Sequence, residues 1–151
     1  MRRTGRGMWA FLLFVMAAAG CSATGTQRIL LDRYSAAAPG VSVANFSVDE
    51  VDSFVRYFAS QRGYEIRFAD SEDARVQREL PGEDASLLWL AEKPGSPAIL
   101  FISSNDRLTV SFVQTPGTPL RGESREYSNV LYAILREKFG QECVRMGEPP
   151  R

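Results

Sequence analysis

The sequence contains no histidine. Histidine is the commonest general base and a usual zinc ligand, so its absence disfavours Ser-His-Asp and Cys-His catalysis and the standard zinc sites. No P-loop occurs, and no G-x-G-x-x-G turn follows a strand-like segment, so nucleotide binding lacks its usual phosphate cradle. These absences predict a protein that is not an enzyme and that has no catalytic residue, no cofactor and no metal site.

Cysteine is almost as scarce, since Cys21 and Cys143 are the only two. If Cys21 is consumed by lipid, as its surroundings indicate below, Cys143 has no intrachain partner and no structural disulfide is expected. An unpaired thiol of this kind usually behaves as a small buried hydrophobe. An intermolecular bridge or a reactive role for Cys143 is the alternative.

A basic surface for nucleic acid is also missing. The first twenty residues hold three of the 18 basic residues and none of the 18 acidic ones, so the remainder carries a net charge of −3. Nucleic-acid binding depends on a positively charged footprint. We therefore expect no nucleic-acid partner.

The amino terminus has the organisation of a bacterial export leader. A membrane-spanning helix needs about 20 apolar residues, and the apolar core Trp9–Ala19 is only about half that length. The last three residues before Cys21 are small, namely Ala18, Ala19 and Gly20. The basic residues of the leader are Arg2, Arg3 and Arg6. This pattern predicts a signal peptide over residues 1–20.

The segment Ala18-Ala19-Gly20-Cys21 resembles the lipobox of bacterial lipoproteins. The resemblance covers residues 1–21 only, and it implies acylation of the Cys21 sulfur and cleavage between Gly20 and Cys21. Ser22 stands where an Asp would resemble an inner-membrane retention signal, so the resemblance implies the periplasmic face of the outer membrane. Two or three acyl chains hold a protein stably on a bilayer. An ordinary secretory leader and an uncleaved amino-terminal anchor are the two alternatives.

The remaining chain divides by composition into a tether, one domain and a short tail. Residues 21–40 are mostly small and polar, which predicts a flexible tether. Within them Ile29–Leu31 is apolar enough to dock on the domain, either as a strand or as a short helical turn. Residues 41–147 predict a single globular domain, and residues 148–151 are expected to fray.

Two helices are predicted inside this domain. Ser47 and Glu50 form a capping box with a staple from Phe46 to Val51, so the first helix is expected to begin at Val48 and to end at Gly63. The second is predicted from apolar residues at helical spacing that end at Gly140. Those residues are Tyr127, Val130, Leu131, Ile134, Leu135 and Phe139.

Strands are predicted at four segments. Alternation places Tyr64, Ile66 and Phe68 on the buried face of the first. The segment from Asp70 to Asp84, with charges of both signs, predicts a solvated loop that can include one helical turn. The other three strands are predicted at Leu87–Ala91, Ile99–Ile102 and Leu108–Val113, with Cys143–Met146 as a further short strand.

This order predicts an α+β fold, a two-layer sandwich of an antiparallel sheet of about four to five strands with two amphipathic helices on one face. The opposite face is either bare and polar, or covered by Ile29–Leu31 or by a partner. Trp89 fits a core position better than a partner-binding face.

Three functions remain compatible with these features. The preferred hypothesis is a lipid-anchored periplasmic domain of the outer membrane with a non-catalytic binding or accessory role, whose partner is an envelope protein. The first alternative is a carrier or sensor of a small apolar ligand held between sheet and helices. The second is an enzyme built on the carboxylates Asp70, Glu72 and Asp73.

Overall fold

Six antiparallel strands form one open sheet in the computed structural model, which describes residues 26–35, 38, 40–70, 72–79, 85–113 and 122–147. The strands are β1 (Gln27–Asp32), β2 (Glu65–Phe68), β3 (Leu87–Glu92), β4 (Ala98–Ser103), β5 (Arg107–Val113) and β6 (Val144–Gly147). The helices are α1 (Val48–Gln61), α2 (Ala74–Glu79) and α3 (Glu123–Phe139). The predicted α+β class is confirmed, but the described residues contain six strands and three helices rather than four to five strands and two helices.

The strand order across the sheet is β2-β3-β4-β5-β1-β6. The strands from β2 to β5 lie side by side in the same order as along the chain, and each pairs antiparallel with the next. β1 is then inserted between β5 and β6. This arrangement leaves β2 and β6 as the two edge strands.

One face of the sheet packs against α1 and α3. Val55 and Phe58 of α1 and Leu131 and Leu135 of α3 are buried in one cluster with the strand residues of this face. The strand residues are Ile29, Leu31, Trp89, Ala91, Ile99, Phe101, Leu108, Val110 and Phe112. They alternate along each strand, as expected for side chains that point to the same face of a sheet.

Local sequence signals place α1 as predicted. The Ser47 hydroxyl accepts a hydrogen bond from the Glu50 backbone N–H at 3.2 Å, and the helix begins at Val48. At the other end Gly63 has a φ of +78°, while Tyr64 N–H donates to the Ala59 carbonyl. This is a Schellman ending, in which a glycine adopts the left-handed conformation that other residues avoid.

The opposite face of the sheet is covered in part by α2. Val76 is buried there against Leu90 and Leu100, in a second cluster that also includes Ala98, Ile102 and Val113. The helical turn expected within residues 70–84 is present as α2, but the expectation that this segment is solvated is wrong for Val76. The two-layer prediction also needs correction, because helices lie on both faces of the sheet.

β1 lies inside the segment that was predicted to be a tether. Ile29, Leu30 and Leu31 are buried, since β1 has a neighbouring strand on each side and packed side chains on both faces. Of the two alternatives for this segment, the strand is correct. A strand buried on both faces shows a continuous apolar run instead of alternation, so the pattern gave no clear strand signal.

Several predicted features lie outside the described residues. They include the signal peptide, its cleavage point at Gly20, the acylation site Cys21 and the tail at residues 148–151. Within the described ranges, no helix has the length and apolar content required to cross a bilayer.

Candidate functional site

The outer edge of β2 is the most exposed part of the sheet. β2 pairs with β3 on one side, and among the described residues no strand pairs with its other side. Phe68, at the end of this strand, is 80% exposed. Alternation predicted it on the buried face with Tyr64 and Ile66, but only Tyr64 is buried and Ile66 is half-buried. The prediction is wrong for Phe68 because the strand is at an edge, where nothing described covers its last residue.

The backbone of β2 presents hydrogen-bonding groups to solvent in a regular pattern. Ala69 N–H donates to the Leu88 carbonyl of β3 at 3.4 Å, and the register continues from this pair through Arg67 opposite Leu90. In an antiparallel ladder alternate residues bond to opposite sides. The backbone groups of Ile66 and Phe68 therefore point away from β3, toward the open edge.

On the β3 side of Phe68 lies a cluster of four side chains, namely Trp89, Asp52, Arg56 and Phe101. The neighbour of Phe68 on β3 is Trp89, whose indole N–H donates to the Asp52 carboxylate at 2.5 Å. Arg56 donates to both oxygens of Asp52 at 3.0 and 2.9 Å and places its guanidinium 5.0 Å from the centroid of the indole ring. The Phe101 ring stacks on the indole ring of Trp89, with the two ring centroids 5.2 Å apart. Trp89 is fully buried, so its predicted core position is confirmed.

The opposite face of β2 is fixed by ion pairs. Arg67 Nε lies 2.8 Å from Glu92 of β3, and Arg75 of α2 binds the other oxygen of Glu92 at 2.8 Å. Arg75 also binds Asp73 at 2.7 Å, and Arg67 reaches Asp73 at 3.5 Å. Hydrogen bonds from Arg75 hold the pKa of Asp73 well below its ordinary value, and those from Arg67 and Arg75 lower the pKa of Glu92. This network joins β2, β3 and the start of α2.

No family model, curated protein or solved structure matches this chain.

The three carboxylates considered for catalysis do not converge on a cleft. Asp70 and Glu72 are exposed, and the Asp70 side chain accepts the backbone N–H of Glu72 at 2.9 Å. Asp73 accepts the backbone N–H of Arg75 at 2.9 Å in addition to its ion pairs. These hydrogen bonds are those of a turn and a helix start. Within the described ranges no group of three potential metal ligands comes together.

Glu79 is a buried charge that the sequence analysis missed. Its side chain is 2% exposed, it lies 2.6 Å from Arg28 Nε of β1, and it accepts a hydrogen bond from the Ser111 hydroxyl of β5 at 2.9 Å. The signal for it was the spacing of Val76 and Glu79, which are three residues apart and therefore share one face of a helix. Both ends of α2 are thus fixed by ion pairs to the sheet.

An open depression of about 510 Å³ lies at the other end of β1. Asp32 there accepts hydrogen bonds from Arg107 at 2.7 Å and from Arg145 at 2.6 Å. Burial alone would raise the pKa of Asp32, but these two hydrogen bonds outweigh it and leave the pKa below its ordinary value. Because Asp106 lines the same depression, its two arginines are balanced by two carboxylates. The depression therefore has little net charge with which to attract an anion.

Cys143 is buried as predicted for a small apolar residue. Its side chain is 1% exposed, and its thiol donates to the Phe139 carbonyl at 3.0 Å. Burial raises the pKa of this thiol above its ordinary value. A protonated, buried thiol is a poor nucleophile.

Proposed function

We propose that this chain is a lipid-anchored protein of the bacterial outer membrane that faces the periplasm and acts by binding an envelope protein, without catalysis. The binding surface is the outer edge of β2. The observation that supports it best is Phe68, which is 80% exposed on an edge strand that pairs with β3 on one side and with no described strand on the other. Exposed edges of this kind accept an additional strand from a partner.

The proposed anchor would hold the domain close to the bilayer. β1 begins at Gln27, so acylation of Cys21 leaves only residues 22–26 between the lipid and the sheet. An extended chain spans at most 3.3–3.6 Å per residue, which gives a reach of about 20 Å. The tether is therefore shorter than the composition of residues 21–40 suggests, and a partner bound at β2 would be kept next to the membrane.

The pKa values of three carboxylates do not favour their use as general acids. The pKa values of Asp32, Asp73 and Glu92 are all lowered, in each case with arginines as hydrogen-bond partners. Such carboxylates stay ionised and occupied, whereas a general acid needs a raised pKa and an accessible proton. Between the sheet and α1 the apolar side chains, among them Val55 and Phe101, are buried in one core cluster.

Two experiments test the two parts of this proposal. A photoreactive amino acid in place of Phe68 in the full chain should crosslink to protein in living cells, whereas the same substitution at Tyr57, an exposed aromatic residue of α1, should give much less product. Equal crosslinking at both positions would contradict the binding surface. For the anchor, Cys21→Ser should abolish labelling by radioactive palmitate and release the protein from the membrane fraction. Unchanged labelling would contradict lipidation.

A further inference from the structure

We propose that the strand which binds the edge of β2 is β2 of a second copy of this chain, related to the first by a two-fold axis at Ile66. The inference rests on the proposed function, because that function makes this edge the binding surface. The partner is identified from the segment Glu65-Ile66-Arg67, because reversing it about Ile66 places an acidic residue opposite a basic one on both sides.

The backbone of β2 selects this register. The N–H and C=O of Ile66 point toward the open edge, so two copies paired at Ile66 exchange two hydrogen bonds there. The Phe68 N–H then faces the Tyr64 carbonyl of the second copy. The Tyr64 N–H is already donated to Ala59 at 3.1 Å, so it does not bond the Phe68 carbonyl of the second copy, which instead accepts from Arg67 Nη1 of its own copy at 3.4 Å. Pairing centred on Arg67 would lack these bonds, since the backbone groups of Arg67 face β3.

The side chains agree with the same register. Glu65 of each copy lies opposite Arg67 of the other, which places two pairs of opposite charge on one face. Arg67 is held in place by Glu92 and is still 44% exposed. On the other face the two Ile66 side chains meet, and Phe68 takes the register position opposite Tyr64, whose side chain is already buried in its own copy. Opposite charges are favourable cross-strand neighbours.

Self-pairing at β2 is compatible with two anchors in one bilayer. Antiparallel edges that join into one sheet are related by an axis perpendicular to the sheet, so the two β1 strands run in opposite directions. With this axis along the membrane normal, both amino termini lie at the same height. Anchoring then confines the two copies to one surface, where a contact between two four-residue strands benefits from a high effective concentration.

A cysteine at the symmetry axis tests the proposal in cells. In a hydrogen-bonded antiparallel pair the two Cα atoms are about 5.5 Å apart, which is within the range of a disulfide. Ile66→Cys in the full chain should therefore yield a disulfide-linked dimer on mild oxidation. The control is Val41→Cys, which is exposed but lies far from β2 in the loop before α1, and the native Cys143 is buried. Dimer no more abundant than in this control would overturn the proposal.

Charge reversal tests the register itself. Added to Ile66→Cys, Glu65→Arg places arginine opposite arginine twice and should reduce the dimer about tenfold, whereas Glu65→Gln should reduce it much less. Arg67→Glu should have the same effect as Glu65→Arg. When the two reversed variants are co-expressed with different tags, mixed dimers should exceed both homodimers, since both charge pairs between positions 65 and 67 are again complementary.

The outcomes separate this inference from the proposed function. Crosslinking of position 68 to a different protein, together with no dimer at position 66, overturns the second copy as partner and leaves the binding edge supported. No crosslinking at either position overturns both. Thermal unfolding of each variant by circular dichroism identifies any loss of dimer caused by misfolding, and the Glu65 variants provide the test if Arg67→Glu does not fold.

Discussion

The ion pair between Arg28 and Glu79 offers a quantitative test of how α2 is held on the sheet. The Arg28 side chain is 18% exposed and the Glu79 side chain 2% exposed, so both charges are largely removed from water. Removing one partner of a buried pair generally costs about 3–5 kcal/mol, because the other charge is left uncompensated. Arg28→Met leaves the Glu79 carboxylate with the Ser111 hydroxyl at 2.9 Å as its remaining described donor.

Undocking of α2 limits this cost. The helix has only six residues, and it can escape the unfavourable burial of Glu79 by leaving the sheet. That movement forfeits the burial of Val76, which is worth about 1.5–3 kcal/mol. We therefore expect Arg28→Met to lower the free energy of unfolding by about 3 kcal/mol, at the lower end of the range for buried pairs.

Urea denaturation of the full chain, followed by far-ultraviolet circular dichroism, measures this loss. The double variant Arg28→Met with Glu79→Leu should recover most of it, because apolar residues of similar size replace both charges. Arg145→Met is a matched control, since Arg145 also belongs to the sheet but is half exposed in its ion pair with Asp32. A loss below about 0.5 kcal/mol for Arg28→Met, or a double variant no more stable than the single one, would refute the reasoning.

Three further predictions concern acid stability, packing and thiol reactivity. Because the folded-state pKa values of Asp73 and Glu92 lie below their ordinary values of 3.8 and 4.5, their contribution to stability is complete above about pH 5 and is lost as the pH falls further. The melting temperature, measured from pH 7 to pH 2.5, should decline in the acid range, and a flat profile would contradict the ion pairs. Phe139→Ala should cost about 3–5 kcal/mol in urea denaturation, whereas Phe68→Ala should cost under about 0.5 kcal/mol. Cys143 should react with a thiol reagent only in denaturant, and rapid modification of the native protein would show that it is not buried.

The elements that could be predicted from the sequence are those with local signals. α1 has a hydroxyl cap at Ser47 and a glycine at Gly63, and its first residue is the one expected. β4 is a short apolar run between turns and is buried along its whole length. Signals of this kind depend on a few neighbouring residues, so they can be recognised without knowledge of the tertiary contacts.

The elements that were only partly predicted, β1 and α2, owe their structure to distant contacts. β1 is a strand because β5 and β6 pair with its two sides, and nothing in Gln27–Asp32 reveals those partners. α2 is too short to be stable as an isolated helix, and it depends on Val76 and Glu79 being buried against the sheet. The sequence therefore left β1 undecided between a strand and a helical turn within a predicted tether, and α2 as one helical turn within a predicted solvated loop.

The position of Phe68 depends both on a local sequence pattern and on a distant contact. Alternation assigned Phe68 correctly to the face that carries Tyr64 and Ile66, but whether a residue on that face is buried depends on which strand stands next to it. In the described structure β2 is an edge, and Phe68 is consequently exposed. The alternation in β2 is that of a strand in which Phe68 is buried, and the outward backbone groups of Ile66 and Phe68 lie at the edge of the sheet. Both features are expected of a strand that pairs with a further strand on this side. The mismatch between pattern and exposure at this one residue is therefore the physical argument for a partner strand at β2.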